Sequence, residues 1–256
     1  MKIGYVCCLL LSLSFLVGCG APNNSPNSQA NQQQVKSTGT PPAKLDNNQA
    51  KTYNGWTTVK IEDDVEFQIP PTLELRANEF QKMLNDNTLE IANELYKFTN
   101  KNLVQQIVAQ TKGTNELDPT AIEHFVTVKF RIERFSNTLP KWGEDLKFTS
   151  KSLKDHDQEI IEQICTYYKS IPEFKSFDAY IIKPSKILEI NGTKCTYGQM
   201  GMKWEGQEEL VIDSYLFFNG DRTYNFSITV KASDYGYWTT KDNDLRNIVN
   251  TFKPCK

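Results

Sequence analysis

The chain has 256 residues, with 29 Lys and Arg against 31 Asp and Glu, so its net charge is −2 at pH 7. The sequence has no basic patch interleaved with aromatic residues. It therefore lacks the positive charge that binding to nucleic acid needs, and this function class is excluded. Beyond the N-terminus no segment is apolar over the roughly 20 residues that a membrane helix needs.

The N-terminus has the pattern of a secretory signal: Lys2 is followed by an apolar run over residues 3–17 and then by small residues. The run is too short to span a membrane as a continuous helix. Its end, Leu16-Val17-Gly18-Cys19, resembles the lipobox of bacterial lipoproteins. The resemblance implies that residues 1–18 are a lipoprotein signal peptide and that Cys19 receives the lipid and becomes the new N-terminus.

An ordinary secreted protein and an N-terminal membrane helix are the alternatives. They are disfavoured because Gly18, Gly20 and the polar tract that follows end the apolar run where cleavage requires. The lipoprotein resemblance implies a bacterial cell-envelope location with the membrane as a partner through the lipid. An aspartate directly after Cys19 would resemble an inner-membrane retention signal, but this chain has Gly20 at that position. This implies the outer membrane if the organism has two membranes.

Residues 19–52 are predicted to be a disordered tether. From Gly20 to Thr52 there is no aromatic residue, and Val35 and Leu45 are the only sizeable aliphatic residues. Such a segment cannot bury enough apolar surface to offset its ordering entropy. A single folded domain is predicted over residues 53–256.

The first half of this domain is predicted to combine strands with a long helix. Trp56–Ile61 and Val65–Ile69 are predicted strands around the acidic turn 62–64. Apolar residues then recur at three and four positions over Asn78–Gln110, which predicts an amphipathic helix that could break at 85–88 or 99–102. Strict alternation over Ile122–Arg134 predicts a long strand with one buried face.

In the second half, helical spacing returns over Ser152–Tyr168, and Asp155-His156-Asp157 is interpreted as the start of that helix. Four further strands are predicted: Ala179–Glu189, Lys194–Trp204, Leu210–Phe218 and Thr223–Lys231. A hairpin turn at Asn219-Gly220 joins the last two. A closing helix is predicted over Asp242–Phe252, with Asp242-Asn243-Asp244 as its acidic cap and Leu245, Ile248, Val249 and Phe252 pointing inward.

Hairpin-linked strands with intervening helices predict an α+β fold, an antiparallel sheet covered by helices. Three segments resemble the PsbP-like family: Val65–Pro70, Tyr215–Val230 and Leu245–Phe252. The resemblance implies a PsbP-like sandwich. It also implies an accessory or assembly role, because most members of that superfamily are non-catalytic.

Catalytic and metal motifs are not found in the sequence: there is no G-x-S-x-G, G-x-x-x-x-G-K-[ST], H-E-x-x-H or C-x-x-C. With only His124 and His156, a multi-histidine metal site is excluded. His124 is interpreted as a hydrogen-bonded core or edge residue rather than a general base. No cofactor and no catalytic residue are therefore predicted.

The segment Ser233–Trp238 is the candidate binding loop, because Tyr235, Tyr237 and Trp238 crowd around one glycine between a strand and a helix. Exposed rings of this kind bind sugars, peptides or partner proteins. The alternative is that the three rings fold back over the end of the core.

Three cysteines, Cys165, Cys195 and Cys255, remain after the signal and the anchor are set aside. In an oxidising compartment one disulfide and one remaining thiol are expected. Cys195 with Cys255 is the predicted pair, and Cys165 with Cys195 is the alternative.

Three functions are compatible with these features. The first is a lipid-anchored, non-catalytic binding or assembly module of the bacterial cell envelope with an envelope protein partner. The second is an envelope hydrolase that uses Asp and Glu. The third is a carbohydrate- or peptide-binding lipoprotein.

Overall fold

A computed structural model of the chain describes residues 50–61, 64–76, 103–114, 122–134, 139–240 and 242–255. These residues contain ten strands: β1 (Thr57–Ile61), β2 (Val65–Ile69), β3 (Leu73–Leu75), β4 (Leu103–Thr111), β5 (Val126–Arg134), β6 (Asp178–Ile190), β7 (Thr193–Lys203), β8 (Leu210–Asn219), β9 (Arg222–Lys231) and β10 (Lys253–Pro254). They also contain helices α1 (Ser150–Ser170) and α2 (Arg246–Asn250) and the short 3-10 turns Pro172–Phe174, Ala232–Asp234 and Tyr237–Thr239. Within this part of the chain no helix is both long and apolar enough to cross a membrane.

The strands form two antiparallel sheets. The main sheet has seven strands in the order β3-β4-β5-β9-β8-β7-β6, and the small sheet has the order β1-β2-β10. All pairings are antiparallel and most neighbours are joined by hairpins. The predicted α+β class with an antiparallel sheet is confirmed.

An Asn-Gly pair lies at each of two tight hairpin turns of the main sheet, β6–β7 and β8–β9. Asn219 pairs with Arg222 across the β8–β9 turn, where Gly220 has φ 64°. The β6–β7 turn has positive φ at both Asn191 (52°) and Gly192 (72°), as a type I′ turn requires. The sequence predicts the β8–β9 turn from Asn219-Gly220, and the β6–β7 turn has the same dipeptide, Asn191-Gly192.

The main core lies between the two sheets. Phe67 of β2 contacts Phe130 and Phe226 of the main sheet, with ring centroids 5.0 and 5.1 Å apart. Phe252 follows α2 and contacts Phe217 at 4.5 Å. The four residues that the sequence predicts to point inward from the closing segment are buried in this core, namely Leu245, Ile248, Val249 and Phe252. The helix itself is shorter than predicted, because the chain becomes extended at Lys253 and pairs with β2.

The opposite face of the main sheet is apolar at one end and polar at the other. Helix α1 packs Ile160 and Ile164 onto Met200 and Ile212. Towards β4 and β5 the same face carries polar residues that are nevertheless buried, namely Gln106, Gln110, Lys129, Arg131, Glu133 and Asn225.

This polar face explains one wrong prediction. Residues 103–110, expected to belong to the long helix, lie in strand β4. Gln106 and Gln110 occupy buried positions of β4, so the strand lacks the apolar alternation by which such strands are recognised. The rest of the predicted helix, residues 78–102, lies outside the described residues.

No disulfide joins the three described cysteines, which are thiols in this structure. The bridge expected between Cys195 and Cys255 is therefore not present. Cys195 is fully buried in β7 opposite Phe217. Cys255 follows β10 beside the small sheet, where its amide donates to the Asp64 carbonyl. Cys165 lies on α1 near the Ala179 carbonyl of β6.

Helix α1 begins earlier than predicted, at Ser150, with Thr149 as its N-cap. The Thr149 side chain accepts from the Ser152 amide and the Ser152 hydroxyl accepts from the Thr149 amide, both at 3.0 Å. The interpretation of Asp155-His156-Asp157 as the helix start is therefore wrong, because a capping box whose N-cap lies six residues before Asp155 satisfies the first turn.

Asp157 instead joins α1 to the edge strand β6. Its carboxylate accepts from the Ser185 amide at 2.8 Å and from the Ser185 hydroxyl at 2.5 Å. The pairing of β6 with β7 is irregular between Lys183 and Lys186, so the Ser185 amide has no ladder partner. The buried carboxylate takes the place of that partner.

We predict that Asp157→Ala lowers the free energy of unfolding by about 1–3 kcal/mol, because a partly buried amide loses its acceptor. Urea unfolding followed by circular dichroism measures the change. Asp155→Ala, an exposed change on the same helix, serves as the control and should stay within about 0.5 kcal/mol of wild type. Equal effects of the two substitutions would contradict the role given to Asp157.

Candidate functional site

The candidate binding loop runs from β9 to α2 and contains two of the 3-10 turns. Its three aromatic residues have different environments. Trp238 is 4% exposed and Tyr235 is partly buried, so both cover the core as the alternative interpretation proposed. Tyr237 alone presents its ring to solvent, at 38% exposure.

The first part of the loop is attached to the main sheet through Tyr235. The Tyr235 hydroxyl donates to Asp213 Oδ2 at 3.2 Å and accepts from Gln199 Nε2 at 2.6 Å. Asp213 Oδ1 accepts from the Tyr197 hydroxyl at 2.7 Å and from Gln199 Nε2 at 2.8 Å. Because Asp213 of β8 pairs in register with Gln199 of β7, both side chains point to the same face of the sheet.

Burial controls the electrostatics of this cluster. Asp213 is 3% exposed, and burial raises the pKa of its carboxyl although the donors Tyr197 and Gln199 oppose the shift. Burial, with the nearby Asp213 charge, raises the pKa of Tyr235 to about 12. The tyrosines therefore remain protonated donors at neutral pH, and the carboxylate is solvated by uncharged groups.

The loop is also attached to His124, through Asp234 and Tyr237. The Nδ1 atom of His124 lies 3.1 Å from Asp234 Oδ1, and the His124 ring stacks on Tyr237 with centroids 3.9 Å apart. The Glu123 carboxylate, on an almost fully exposed side chain, is 4.0 Å from His124 Nε2. The structure thus places His124 as a hydrogen-bonded residue just before β5, and it brings together His124 and the aromatic loop, which the sequence analysis treated separately.

A small crevice, with room for about one water molecule, lies between the loop and the sheet. Ile228, Val230 and Leu245 line its apolar wall, and Asp213, Trp238 and Arg246 bring polar groups to it. The Trp238 Nε1 atom is buried and has no hydrogen-bond partner in the described part of the chain. Arg246 donates through Nε and Nη2 to Asp244, at 2.7 and 2.6 Å, which fixes the guanidinium.

Sequence reasoning missed Asp213, Gln199 and Arg246. The available signal was an acidic residue inside the apolar run Leu210–Phe218, because a buried charge needs partners. A metal role has no support in the described residues, where no three His, Cys, Asp or Glu side chains are grouped to hold an ion.

By sequence the chain matches no protein-family profile and no curated protein. It is similar in structure to PsbP (CyanoP) from Synechocystis sp. PCC 6803, at 9% identity and a TM-score of 0.47 over 79% of this chain and 94% of that one. It is also similar to the Ran-binding protein Mog1p from Saccharomyces cerevisiae, at 11% identity and a TM-score of 0.38 over 77% and 94%. A third similar structure comes from Bacteroides thetaiotaomicron VPI-5482, at 8% identity and a TM-score of 0.35 over 75% and 45%.

We predict that Asp213 makes the protein less stable as pH rises. Its folded pKa is above the unfolded value of about 3.9, so its contribution is fully present below about pH 4 and is lost as pH rises through the folded pKa. Asp213→Asn should remove this decline. Urea unfolding at a series of pH values measures it, with the exposed Asp155→Asn as the control. An unchanged pH profile for Asp213→Asn would contradict the shift.

Proposed function

We propose that the chain is a lipid-anchored, non-catalytic binding or assembly module of the bacterial cell envelope. The observation that carries this proposal is the exposed ring of Tyr237, held in a loop that is fixed by the two residues Asp234 and Tyr235. Tyr235 binds Asp213, and Asp234 binds His124.

Fixing the loop matters because a partner that binds a mobile ring has to order it first, at about 0.5–1.5 kcal/mol for a flexible side chain. Tyr237 is already stacked on His124 and meets Trp238 edge-on at 4.9 Å. Its orientation is therefore set before binding. An exposed, oriented tyrosine is the type of residue that contributes most at protein interfaces.

The same ring supports the second candidate, a carbohydrate- or peptide-binding lipoprotein. A flat aromatic ring can stack on a sugar ring, and a carboxylate beside it can accept hydrogen bonds from the sugar hydroxyls. Here the Tyr237 ring stacks on His124, and the Glu123 carboxylate lies beside the same histidine. Both candidate functions use the surface around Tyr237, and they differ in the class of molecule that binds there.

The hydrolase alternative depends on two cooperating carboxyl groups. The carboxylate with a raised pKa, Asp213, is 3% exposed and is surrounded by the hydroxyls of Tyr197 and Tyr235 and the amide of Gln199. These groups hold the loop on the sheet. The arrangement supports a structural role for Asp213 and favours binding over hydrolysis.

The anchor and the location belong to the proposal as well. Cys19 and the tether of residues 19–52 lie almost entirely outside the described residues, and they rest on the lipobox resemblance of Leu16–Cys19. Under the proposal the envelope membrane holds the lipid, and the domain meets an envelope protein at the Tyr237 surface.

We predict that Cys19→Ala leaves an unprocessed precursor when the full chain is expressed in a bacterium, because no thiol remains to accept the lipid. Intact-mass analysis of the membrane fraction measures this. Cys255→Ala is the matched control and should be processed like wild type. An unmodified N-terminus at another residue of the wild-type chain would contradict the lipoprotein assignment.

We predict that Tyr237→Ala weakens capture of the envelope partner about 30-fold, which corresponds to a hot-spot loss of about 2 kcal/mol. Cross-linked pull-down from native envelope with the full chain as bait measures it. Ile182→Ala is the control, because Ile182 has the same 38% exposure on another surface. Protease or glycosidase treatment of the envelope beforehand distinguishes a protein partner from a sugar.

Two results would contradict this use of Tyr237. One is a captured set that is unchanged by Tyr237→Ala. The other is a loss that Ile182→Ala reproduces. Urea unfolding of both variants identifies a loss that comes from stability alone.

A further inference from the structure

Asp234 determines which ring nitrogen of His124 can accept a hydrogen bond. The Nδ1 atom of His124 lies 3.1 Å from Asp234 Oδ1. A carboxylate can only accept, so Nδ1 donates the proton of this bond, and in a neutral imidazole the other nitrogen, Nε2, is then an acceptor. The stacking of the His124 ring on Tyr237, with centroids 3.9 Å apart, holds the imidazole in this orientation.

A second acceptor faces Nε2 across a short gap. The Glu123 carboxylate oxygen Oε1 lies 4.0 Å from His124 Nε2, which is too far for a hydrogen bond between the two groups. The Glu123 side chain is 90% exposed and the His124 side chain is 34% exposed, so the gap opens to solvent. A group with N–H donors placed in the gap can bond to both acceptors, because each bond needs only about 2.9 Å.

The charge beside this gap is negative and has no neighbouring cation. Among the described residues no Lys or Arg forms an ion pair with Glu123 or Asp234. Asp234 is 9% exposed, and its Oδ2 atom is buried without a hydrogen-bond partner in that part of the chain. The cation at the start of the loop, Lys231, is paired with Glu208 at 2.6 Å. This surface therefore attracts a cationic group from another molecule.

A guanidinium group fits the three features of the surface together. It is planar, so it can pack against the exposed part of the Tyr237 ring, which has 38% exposure. Its N–H donors form a fork that can bond to His124 Nε2 and to the Glu123 carboxylate. A lysine ammonium can bond to the same acceptors but has no plane to place against the ring. A sugar hydroxyl can donate but brings no charge to Glu123.

We propose that the surface formed by Tyr237, His124 and Glu123 binds an arginine side chain of the protein partner. The guanidinium packs against the Tyr237 ring and donates to His124 Nε2 and to the Glu123 carboxylate. Asp234 is the positioning residue, because it fixes the proton on Nδ1. This inference rests on the proposed function, since it names the group that the envelope partner brings to Tyr237.

The first measurement is the tautomer of His124 in the free protein. The full chain contains two histidines, and the ring ¹⁵N signals of His124 are identified by their loss in His124→Gln. At about pH 7.5 the proton should be on Nδ1 and not on Nε2. Asp234→Asn should raise the fraction of the tautomer with the proton on Nε2, because an amide can also donate to Nδ1.

The second measurement uses three blocked tripeptides as probes, with arginine, lysine or citrulline between two glycines. Citrulline has nearly the shape of arginine but no charge. The full chain is titrated with each peptide, and the ring signals of His124 and Tyr237 are followed by NMR. The arginine peptide should move both sets of signals saturably. The lysine peptide should bind about threefold more weakly, and the citrulline peptide should leave the signals in place.

Single substitutions locate the contact. Glu123→Gln removes a charge from an exposed pair and should weaken the arginine peptide about threefold. Tyr237→Leu and Asp234→Asn should each weaken it to a similar extent, by removing the ring or the fixed tautomer. Glu159→Gln changes an exposed residue of α1, which lies on the other face of the main sheet. It is the matched control and should leave the affinity unchanged.

The proposal is overturned if Nε2 carries the proton in the free protein, if the citrulline peptide binds as tightly as the arginine peptide, or if Glu123→Gln binds the arginine peptide like wild type. Movement of the same signals by N-acetylglucosamine but not by the arginine peptide would also overturn it, in favour of the carbohydrate candidate.

The envelope pull-down separates this inference from the proposed function. Capture that is lost in Tyr237→Ala and kept in Glu123→Gln would contradict the arginine contact and leave the binding role of Tyr237 standing. Capture that is unchanged in Tyr237→Ala would contradict the proposed function itself, whatever the peptides show.

Discussion

The hydrogen bonds of the Asp213 carboxylate determine how the loop and the main sheet fit together. The same carboxylate joins Tyr197 and Gln199 of the sheet to Tyr235 of the loop. Removing that charge from water is unfavourable, and hydrogen bonds from three uncharged side chains offset the cost. Because the loop is held here at Tyr235, Trp238 covers the core and Tyr237 is left at the surface.

The attachment at Asp213 also gives the residues of one loop two different environments. Trp238 is buried against the core and lines a small crevice together with Arg246. Tyr237 lies at the surface with its ring stacked on His124. A change at Asp213 is therefore expected to disturb both the covered and the exposed side of the loop.

The sequence predicts well those elements whose signal is local. The hairpin over β8 and β9 was recognised because Asn219-Gly220 and the adjoining apolar runs need no distant contact. The inward residues of the closing segment were recognised for the same reason. Local chemistry also predicted a helix in the region of α1, although its start was placed too late.

Tertiary contacts determine what the sequence could not predict. Strand β4 was taken for helix because Gln106 is buried on a polar face of the sheet, opposite Arg131 of β5. Asp157 looked like a cap because its partner, Ser185, is 28 residues away. The candidate site depends on Asp213 meeting Tyr235 across a hairpin and a loop, which periodicity does not reveal.

The irregular strand β6 has a consequence for how copies of the protein behave together. Among the described residues β6 is the last strand of the main sheet, so one edge of its backbone has no strand beside it there. The exposed side chains of Lys183, Pro184 and Lys186 interrupt that edge where its pairing with β7 is irregular. A regular exposed edge can recruit a second copy of a chain by strand addition. Charge, a missing amide and a broken register make such pairing unfavourable at this edge.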